Sequence, residues 1–254
     1  MCLILVAWQA HPRYPLVVAA NRDEWFARPA APAQFWADAP HLLAGRDASA
    51  GGTWLGLTRS GHFAALTNFR GGAARPDAPS RGLLVSRLLR DEPTAEAAGR
   101  CLRATDLSAY SGFNLLYGDM RELHCHSNAG GGSKQLAPGI YGLSNEFLDT
   151  PWPKVEHSKS ALASSLDALP DDRALFHLLR DDRTYPDHLL PDTGVTPAWE
   201  RLLSAAFVRG PEYGTRCSTV VMVDVDGNAL FDEQTWLPGG LTGPRQRHRF
   251  RLDR

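Results

Sequence analysis

The order of apolar and polar residues predicts a chain rich in short strands. Residues 2–8 and 16–21 are apolar runs, and the prolines between them exclude a helix that would join them. These two runs therefore predict a hairpin at the start of the chain. Residues 54–59 and 62–68 flank a short Ser-Gly turn sequence and predict a second hairpin.

The rest of the chain carries more strands with similar turn signals. They are predicted at 113–118, 122–127, 139–144, 217–225, 229–236 and 245–252. The sequence Asp226-Gly227-Asn228 is typical of a turn, so the fourth and fifth of these strands form a third hairpin. The last strand alternates arginine with apolar residues, which is typical of an edge strand protected by charge.

Helical spacing of apolar residues appears in two blocks. The predicted helices cover residues 80–91, 94–104, 154–168, 171–181 and 197–207. Because strands and helices fall into separate blocks, they predict an α+β fold with helices packed on antiparallel sheets. No repeat or long linker divides the chain, and we expect one domain over residues 1–254.

Composition narrows the function classes. The chain has 254 residues, and 27 Lys and Arg against 28 Asp and Glu give a net charge of −1. This balance argues against a nucleic-acid-binding protein that depends on charge. No apolar run approaches the roughly 20 residues of a membrane span, and the first residues lack the features of a signal peptide. We therefore expect a cytoplasmic protein whose four cysteines are free thiols.

Cys2 is the first candidate for chemistry, because it directly follows Met1. Removal of Met1 would place a thiol and a free α-amine on the same residue. An α-amine titrates near roughly pH 8, so it is partly neutral at pH 7 and can take the proton of its own thiol. This is how N-terminal nucleophiles are activated. The alternative interpretation is a small buried apolar residue at the start of a strand.

A polar block ends the second predicted strand and lies near Cys2 in a hairpin. Its residues are Asn21, Arg22, Asp23 and Glu24. An arginine beside a thiol favours the thiolate, and a carboxylate can hold an α-ammonium group. Strand alternation places Arg22 and Glu24 on one face and Asn21 and Asp23 on the other, so which carboxylate faces the thiol stays open. The alternative is a solvated strand end.

Short motifs along the chain carry a resemblance to a known family. They are Met-Cys at the start and the segments 21–24, 51–56, 67–70, 142–145, 151–154 and 213–216. In this order they resemble the NRDE-motif family, whose eukaryotic members are called transport and Golgi organisation protein 2. The resemblance extends from residue 2 to about residue 225, which is nearly the whole chain.

The resemblance implies a fold and a set of site residues. The family is similar to N-terminal-nucleophile hydrolases, whose fold is a four-layer αββα sandwich, and in particular to choloylglycine hydrolases and penicillin V acylases. It implies that Asn68 and Asn145 stabilise the oxyanion during cleavage of a linear amide bond. It also implies that Arg216 holds the acidic partner or a substrate carboxylate near Cys2. From the residues alone, a turn or a helix cap is the commonest role of such an asparagine.

Two functions follow as hypotheses. The first is an amidohydrolase in which Cys2 attacks a hydrophobic acyl amide, with Arg22, either Asp23 or Glu24, and Arg216 orienting the reacting groups. The second is a carrier without activity that binds haem or acyl-CoA on a hydrolase scaffold, because such roles have been proposed for the family. In both cases the expected partner is a small molecule.

Further residues of the polar block are assigned to the ligand. Asn21, Glu24, Trp25 and Phe26 are expected to contact the substrate, because they adjoin the catalytic candidates. No metal or cofactor is expected, and haem enters only as a ligand of the carrier. The pair His124 and His126 shares a strand face, but the sequence offers no third ligand cluster beside it.

Overall fold

The computed structural model describes residues 2–71, 75, 77–92 and 94–253, and two antiparallel sheets form its centre. Met1, whose removal the sequence leaves open, lies outside the described residues. The first sheet consists of β1 (Cys2–Trp8), β2 (Leu16–Trp25), β10 (Gly139–Leu143), β11 (Tyr213–Val223), β12 (Asn228–Leu237) and β13 (Leu241–Arg251). Its strand order is β10-β1-β2-β11-β12-β13.

The second sheet follows the order of the chain. It consists of β3 (Ala30–Trp36), β4 (Ala39–Asp47), β5 (Leu55–Thr58), β6 (Phe63–Asn68), β7 (Phe113–Gly118), β8 (Leu123–Ser127) and β9 (Gly132–Gln135). Each strand pairs with the next one, so short hairpin connections are sufficient to build it.

Helices cover the outer faces of both sheets. They are α1 (Arg81–Asp91), α2 (Ala95–Ala104), α3 (Pro153–Ser165), α4 (Arg173–Leu178) and α5 (Pro197–Leu203). Leu84 and Leu88 of α1 pack in one cluster with apolar residues of the seven-stranded sheet. Val155 and Leu162 of α3 pack on the six-stranded sheet. The layers therefore run helix, sheet, sheet, helix, which confirms the predicted α+β fold and αββα sandwich.

Burial on both faces explains the apolar runs at the start of the chain. In β1, Ile4 and Val6 point between the two sheets, whereas Leu3 and Leu5 point toward the helical layer. Since successive strand residues face opposite sides, a central strand of this sandwich needs apolar residues at every position. The predicted hairpin of β1 and β2 is confirmed.

Three strands were not predicted, and each lacks a clear pattern. In β3 and β4, prolines and alanines interrupt the alternation, and the register between the two strands shifts twice. All residues of β9 are exposed, so no apolar face marks it. The predicted helices are confirmed, but 154–168, 171–181 and 197–207 end earlier as α-helices, at residues 165, 178 and 203.

The strand β10 makes the connection that positions the site. It follows β7, β8 and β9 in the chain, but it leaves their sheet and pairs with β1, with Ile4 opposite Leu143. As a result, Ser144 and Asn145 come directly beside the start of β1. Sequence spacing gives no sign of this crossover, because it depends on which sheet edge is available.

Candidate active site

A cavity of about 540 Å³ opens where β1 begins and where β2 and β6 end. Cys2 contributes from β1, Arg22 and Glu24 from β2, Asn68 from β6, and Arg81 from the start of α1. Both sheets and one helix thus supply its walls. The volume suits a small-molecule ligand.

The Cys2 thiol is almost completely buried at the base of this cavity. Cys2 is 7 % exposed and lies opposite Arg22 in the pairing of β1 with β2. Burial raises the pKa of the Cys2 thiol, and the charge of Asp23 acts in the same direction. The Arg22 charge and a backbone hydrogen bond of Asp23 lower this pKa. Because burial is the largest of these effects, the thiol needs a base to become a nucleophile.

Arginines and carboxylates form a loose network on the cavity face of β2. Arg22 Nη2 lies 3.7 Å from Glu24 Oε2 and 3.9 Å from Asp47 Oδ2. Arg28 Nε lies 2.7 Å from Asp47 Oδ2 and 3.9 Å from Glu24 Oε2. Most of these contacts exceed hydrogen-bond length, so the groups remain able to turn toward a ligand.

Asp23 points to the other side of the strand and is 3 % exposed. It accepts a hydrogen bond of 2.7 Å from Thr215 Oγ1, and its carbonyl accepts one of 3.2 Å from Tyr213 Oη. Burial raises the pKa of the Asp23 carboxyl, whereas Lys154, Thr215 and Arg70 lower it. The charge of Asp23 also acts on the Cys2 thiol, and it raises the pKa of that thiol.

The two predicted asparagines lie close to Cys2 and to each other. Asn145 is completely buried, and its Nδ2 donates a hydrogen bond of 2.8 Å to the carbonyl of Asn68. The neighbouring Ser144 Oγ donates 3.2 Å to the carbonyl of Cys2. The structure therefore brings together Cys2, Asn68 and Asn145, of which Cys2 and Asn68 line the cavity.

The expectation that Asn21 contacts the substrate needs correction. Its Nδ2 donates 2.8 Å to the carbonyl of Leu179 and 2.7 Å to that of Ala206, and its Oδ1 accepts 2.6 Å from Ser218 Oγ. Asn21 is fully buried and faces the helical layer. Strand alternation causes this, because β2 continues without a break to Trp25.

The expected pocket role of Trp25 and Phe26 also needs correction. Trp25 is 47 % exposed and packs edge-on against Trp199 and Tyr213. The Phe26 ring lies under the guanidinium of Arg216, whose Cζ is 5.5 Å from the ring centroid. Neither Trp25 nor Phe26 is among the described residues that line the cavity.

Arg216 lines the cavity, but its hydrogen bonds differ from those expected. Its Nη1 donates 2.8 Å to the carbonyls of Trp25 and Arg28. The pairing of β11 with β2 shifts between Thr215 and Cys217, and this irregularity places Arg216 outside the regular alternation. These two hydrogen bonds of Arg216 thus hold the end of β2 and the chain that follows it, rather than an acidic partner.

Several polar residues near the site were not predicted. Arg81 lines the cavity and donates 2.9 Å to the carbonyl of Gly112. Lys154, Arg70 and Glu200 form a buried cluster on the far side of β2. The segments 67–70 and 151–154 belong to the family motifs, and these motifs are the signal in the sequence for Arg70 and Lys154. Within the described ranges, no group of three or more His, Cys, Asp or Glu side chains could hold a metal ion.

The arrangement of sheets and helices is shared with solved structures. The sandwich has the fold of N-terminal-nucleophile hydrolases, and it matches two solved structures. A Caenorhabditis elegans N-acylethanolamine-hydrolyzing acid amidase ortholog aligns with a TM-score of 0.51 and 13 % identity, over 86 % of this chain and 92 % of that chain. A mutant conjugated bile acid hydrolase from Clostridium perfringens aligns with a TM-score of 0.51 and 10 % identity, over 99 % and 92 %.

Sequence comparison identifies the family. The profile described as Transport and Golgi organisation 2 matches residues 1–238, and the chain belongs to this family. The Transport and Golgi organization protein 2 homolog of Bos taurus is 35 % identical over 99 % of both chains. The Drosophila melanogaster protein Transport and Golgi organization protein 2 is 30 % identical over 92 % of both chains. The resemblance inferred from the motifs is thereby confirmed.

Proposed function

We propose that this protein is an N-terminal-cysteine amidohydrolase that cleaves a linear amide bond of a small hydrophobic acyl compound. The observation that carries the proposal is the placement of Cys2 in a 540 Å³ cavity beside Asn68, with Asn145 bound to Asn68. The names of the two structural neighbours describe an amidase and a hydrolase, which agrees with this reaction class.

The reaction begins once Met1 has been removed. The α-amine of Cys2 takes the thiol proton, and the sulfur attacks the amide carbonyl carbon to form a C–S bond. Amide hydrogens of Asn68 and Asn145 stabilise the resulting oxyanion. The C–N bond then breaks, the leaving amine takes the proton, and water hydrolyses the thioester to the free acid.

The proposal is tested with intact-mass analysis followed by an amide panel. Loss of Met1 should be visible in the purified protein, and Cys2→Ala should lower hydrolysis at least roughly a thousandfold. Cys101→Ala is the matched control, because Cys101 is a buried free thiol that packs in the cluster around α1 and α2. Full hydrolysis by the Cys2→Ala variant, or complete retention of Met1 in an active preparation, would contradict the mechanism.

A carrier for an amphipathic anionic ligand such as haem or acyl-CoA is the second candidate. Of the described residues that line the cavity, six are arginines and four are acidic. Arg81 and Arg216 donate hydrogen bonds to backbone carbonyls, so their charges are available to an anion. Saturable binding that persists in Cys2→Ser and is lost in Arg81→Met, without turnover, would favour the carrier.

No helix in the described part of the chain is both long and apolar enough to cross a membrane. The cytoplasmic location stays a prediction.

A further inference from the structure

Part of the cavity extends away from Cys2 toward the strand β3, and we call this part the β3 arm. Small residues form one wall of the arm, among them Ala31 of β3 and Gly45 of β4. Cys217 of β11 and Glu233 of β12 form its floor. The proposed cleavage by Cys2 uses none of these residues. The β3 arm therefore has space for a part of the ligand that lies away from the reacting amide.

The pairing of four neighbouring strands sets the distance between Cys2 and the end of this arm. Cys2 and Cys217 both lie opposite Arg22, on the two sides of β2. Glu233 lies opposite Thr219, on the strand beyond. Three spacings between neighbouring strands, at about 4.8 Å each, place Glu233 about 14 Å from Cys2 across the sheet. A ligand that contacts both residues must therefore be long and extended.

Glu233 is a buried carboxyl group that nevertheless lines the cavity. It is 4 % exposed. Its Oε1 accepts a hydrogen bond of 2.7 Å from the backbone N–H of Ala33, and its Oε2 accepts one of 3.3 Å from Thr219 Oγ1. In the part of the chain that the structure describes, Glu233 forms no ion pair. A buried carboxylate of this kind is more stable when a ligand supplies a further donor or a positive charge.

The surroundings of Glu233 leave it able to accept that donor. Burial raises the pKa of the Glu233 carboxyl, whereas hydrogen bonds from Ala33, Cys217 and Thr219 and the charge of Arg22 lower it. These donors are neutral groups. A carboxylate accepts about four hydrogen bonds, so acceptor capacity remains beyond these donors.

Gly45 keeps one side of the Glu233 carboxylate open. A Cβ atom at position 45 would lie 3.5 Å from Oε2 and 3.8 Å from Oε1 of Glu233, and 3.3 Å from the carbonyl oxygen of Ala31. A methyl group there would occupy the space against both carboxylate oxygens. Because glycine has no side chain, a ligand group can approach Glu233 from this side.

We propose that Glu233 is a specificity-determining residue that binds a hydrogen-bond donor, most tightly an ammonium group, at the end of the substrate remote from the scissile amide. The substrate class is accordingly a long-chain acyl amide with a protonated amine at its far end. This inference rests on the proposed function and adds to it the length and the terminal group of the substrate.

The test measures binding by calorimetry in the Cys2→Ala background, in which no turnover occurs. The probes are methylamides of ω-amino fatty acids of increasing chain length, each compared with the methyl-ended fatty acid methylamide of the same length. Once the chain spans about 14 Å, the amino-ended probe should bind at least about tenfold more tightly, because it gains a hydrogen bond to a charged group. Shorter chains should show no such preference. Equal affinity of the paired probes at every length would overturn the proposal.

A charge-removing variant assigns the preference to Glu233. Glu233→Gln removes the charge and keeps an acceptor oxygen for the N–H of Ala33. It should abolish the preference for the amino-ended probe and leave the affinity for the methyl-ended probe unchanged. Glu96→Gln is the matched control, because it removes a carboxylate from the exposed surface of α2 and should keep the preference. A preference that persists in Glu233→Gln would mean that another group binds the amine.

A second variant covers the case in which Glu233→Gln does not fold. Gly45→Ala leaves the Glu233 carboxylate in place and covers it with a methyl group. The preference for the amino-ended probe should fall, whereas the shortest probes of either kind should bind as before. An undiminished preference in Gly45→Ala would contradict binding of the amine at this carboxylate.

Hydrolysis of the same probes by the protein with intact Cys2 separates this inference from the proposed function. If no probe is cleaved but the binding preference is present and is lost in Glu233→Gln, the proposed reaction fails and the role of Glu233 in ligand selection stands. If the probes are cleaved and kcat/KM does not differ between paired probes at any chain length, the reaction stands and the role of Glu233 is wrong.

Discussion

The two faces of β2 at its end offer a direct comparison. On the cavity face, Arg22 and Glu24 belong to a loose network with separations of 3.7 and 3.9 Å. On the opposite face, Asn21 and Asp23 make hydrogen bonds of 2.6 to 2.8 Å to buried partners. Four consecutive residues thus divide between a site open to ligand and a tightly bonded interior.

The difference shows how burial decides what a polar residue does. A buried polar group must have partners, and breaking one contact leaves another group without solvent or a hydrogen bond. A partly exposed ion pair contributes little to stability, since water can replace either partner. We therefore expect substitutions on the buried face to affect folding and substitutions on the cavity face to affect ligand binding.

The largest expected effect is on the buried ion pair of Arg70 with Glu200. Arg70→Met leaves Glu200 as an uncompensated buried charge, which should lower the free energy of unfolding by about 3–5 kcal/mol. Arg100→Met removes an exposed pair with Glu96 and is expected to cause no measurable change. Urea unfolding of both variants checks this. Equal stability of Arg70→Met and Arg100→Met would mean that the Arg70–Glu200 pair is solvated.

His62 tests whether a buried imidazole also contributes to the free energy of unfolding. Burial lowers the pKa of His62 from 6.5 to about 4. Its unfolded form therefore binds a proton more readily, so this contribution to stability is present above pH 6.5 and is lost as the pH falls toward 4. The loss should reach about 3 kcal/mol. Between pH 4 and pH 7, the free energy of unfolding of His62→Gln should depend less on pH than that of wild type. An unchanged pH dependence would refute the lowered pKa of His62.

A smaller loss is expected for Asn21→Ala. The substitution removes two hydrogen bonds to buried carbonyls of Leu179 and Ala206, and it should lower the free energy of unfolding by about 2 kcal/mol. Glu24→Ala, on the cavity face of the same strand, serves as the control and should stay within about 0.5 kcal/mol of wild type. Thermal and urea unfolding distinguish the two. A larger loss of stability in Glu24→Ala than in Asn21→Ala would place Asn21 on the ligand side.

The smallest effect is expected for Glu24→Gln. Removing one negative charge from the cavity face should strengthen binding of an anionic acyl ligand a few-fold, with no change in unfolding. The ligand affinity is measured by calorimetry in the Cys2→Ala background, in which no turnover occurs. Weaker binding of the anion would indicate that Glu24 instead contacts a cationic or donor group.

The sequence predicted much of the framework but only part of the site. Turn sequences and apolar runs predicted the hairpins of β1 with β2 and of β5 with β6, since these features act between neighbouring residues. The strands β3 and β4 were missed because prolines and small residues obscure their alternation. Cys2, Asn68 and Asn145 were named in advance, whereas Lys154 was noted without a role.

Local sequence by itself determined which residues alternate along β2 and therefore that Asn21 and Arg22 face opposite sides. Only the tertiary structure decided which of those sides is a cavity and which is a packed interior. That choice depends on where β10, β11 and α3 settle around the strand, and their contacts join residues more than a hundred positions apart. Packing between segments that are far apart in the sequence sets the solvent exposure of each side chain. This exposure decides whether a charged group stabilises the fold or binds a ligand.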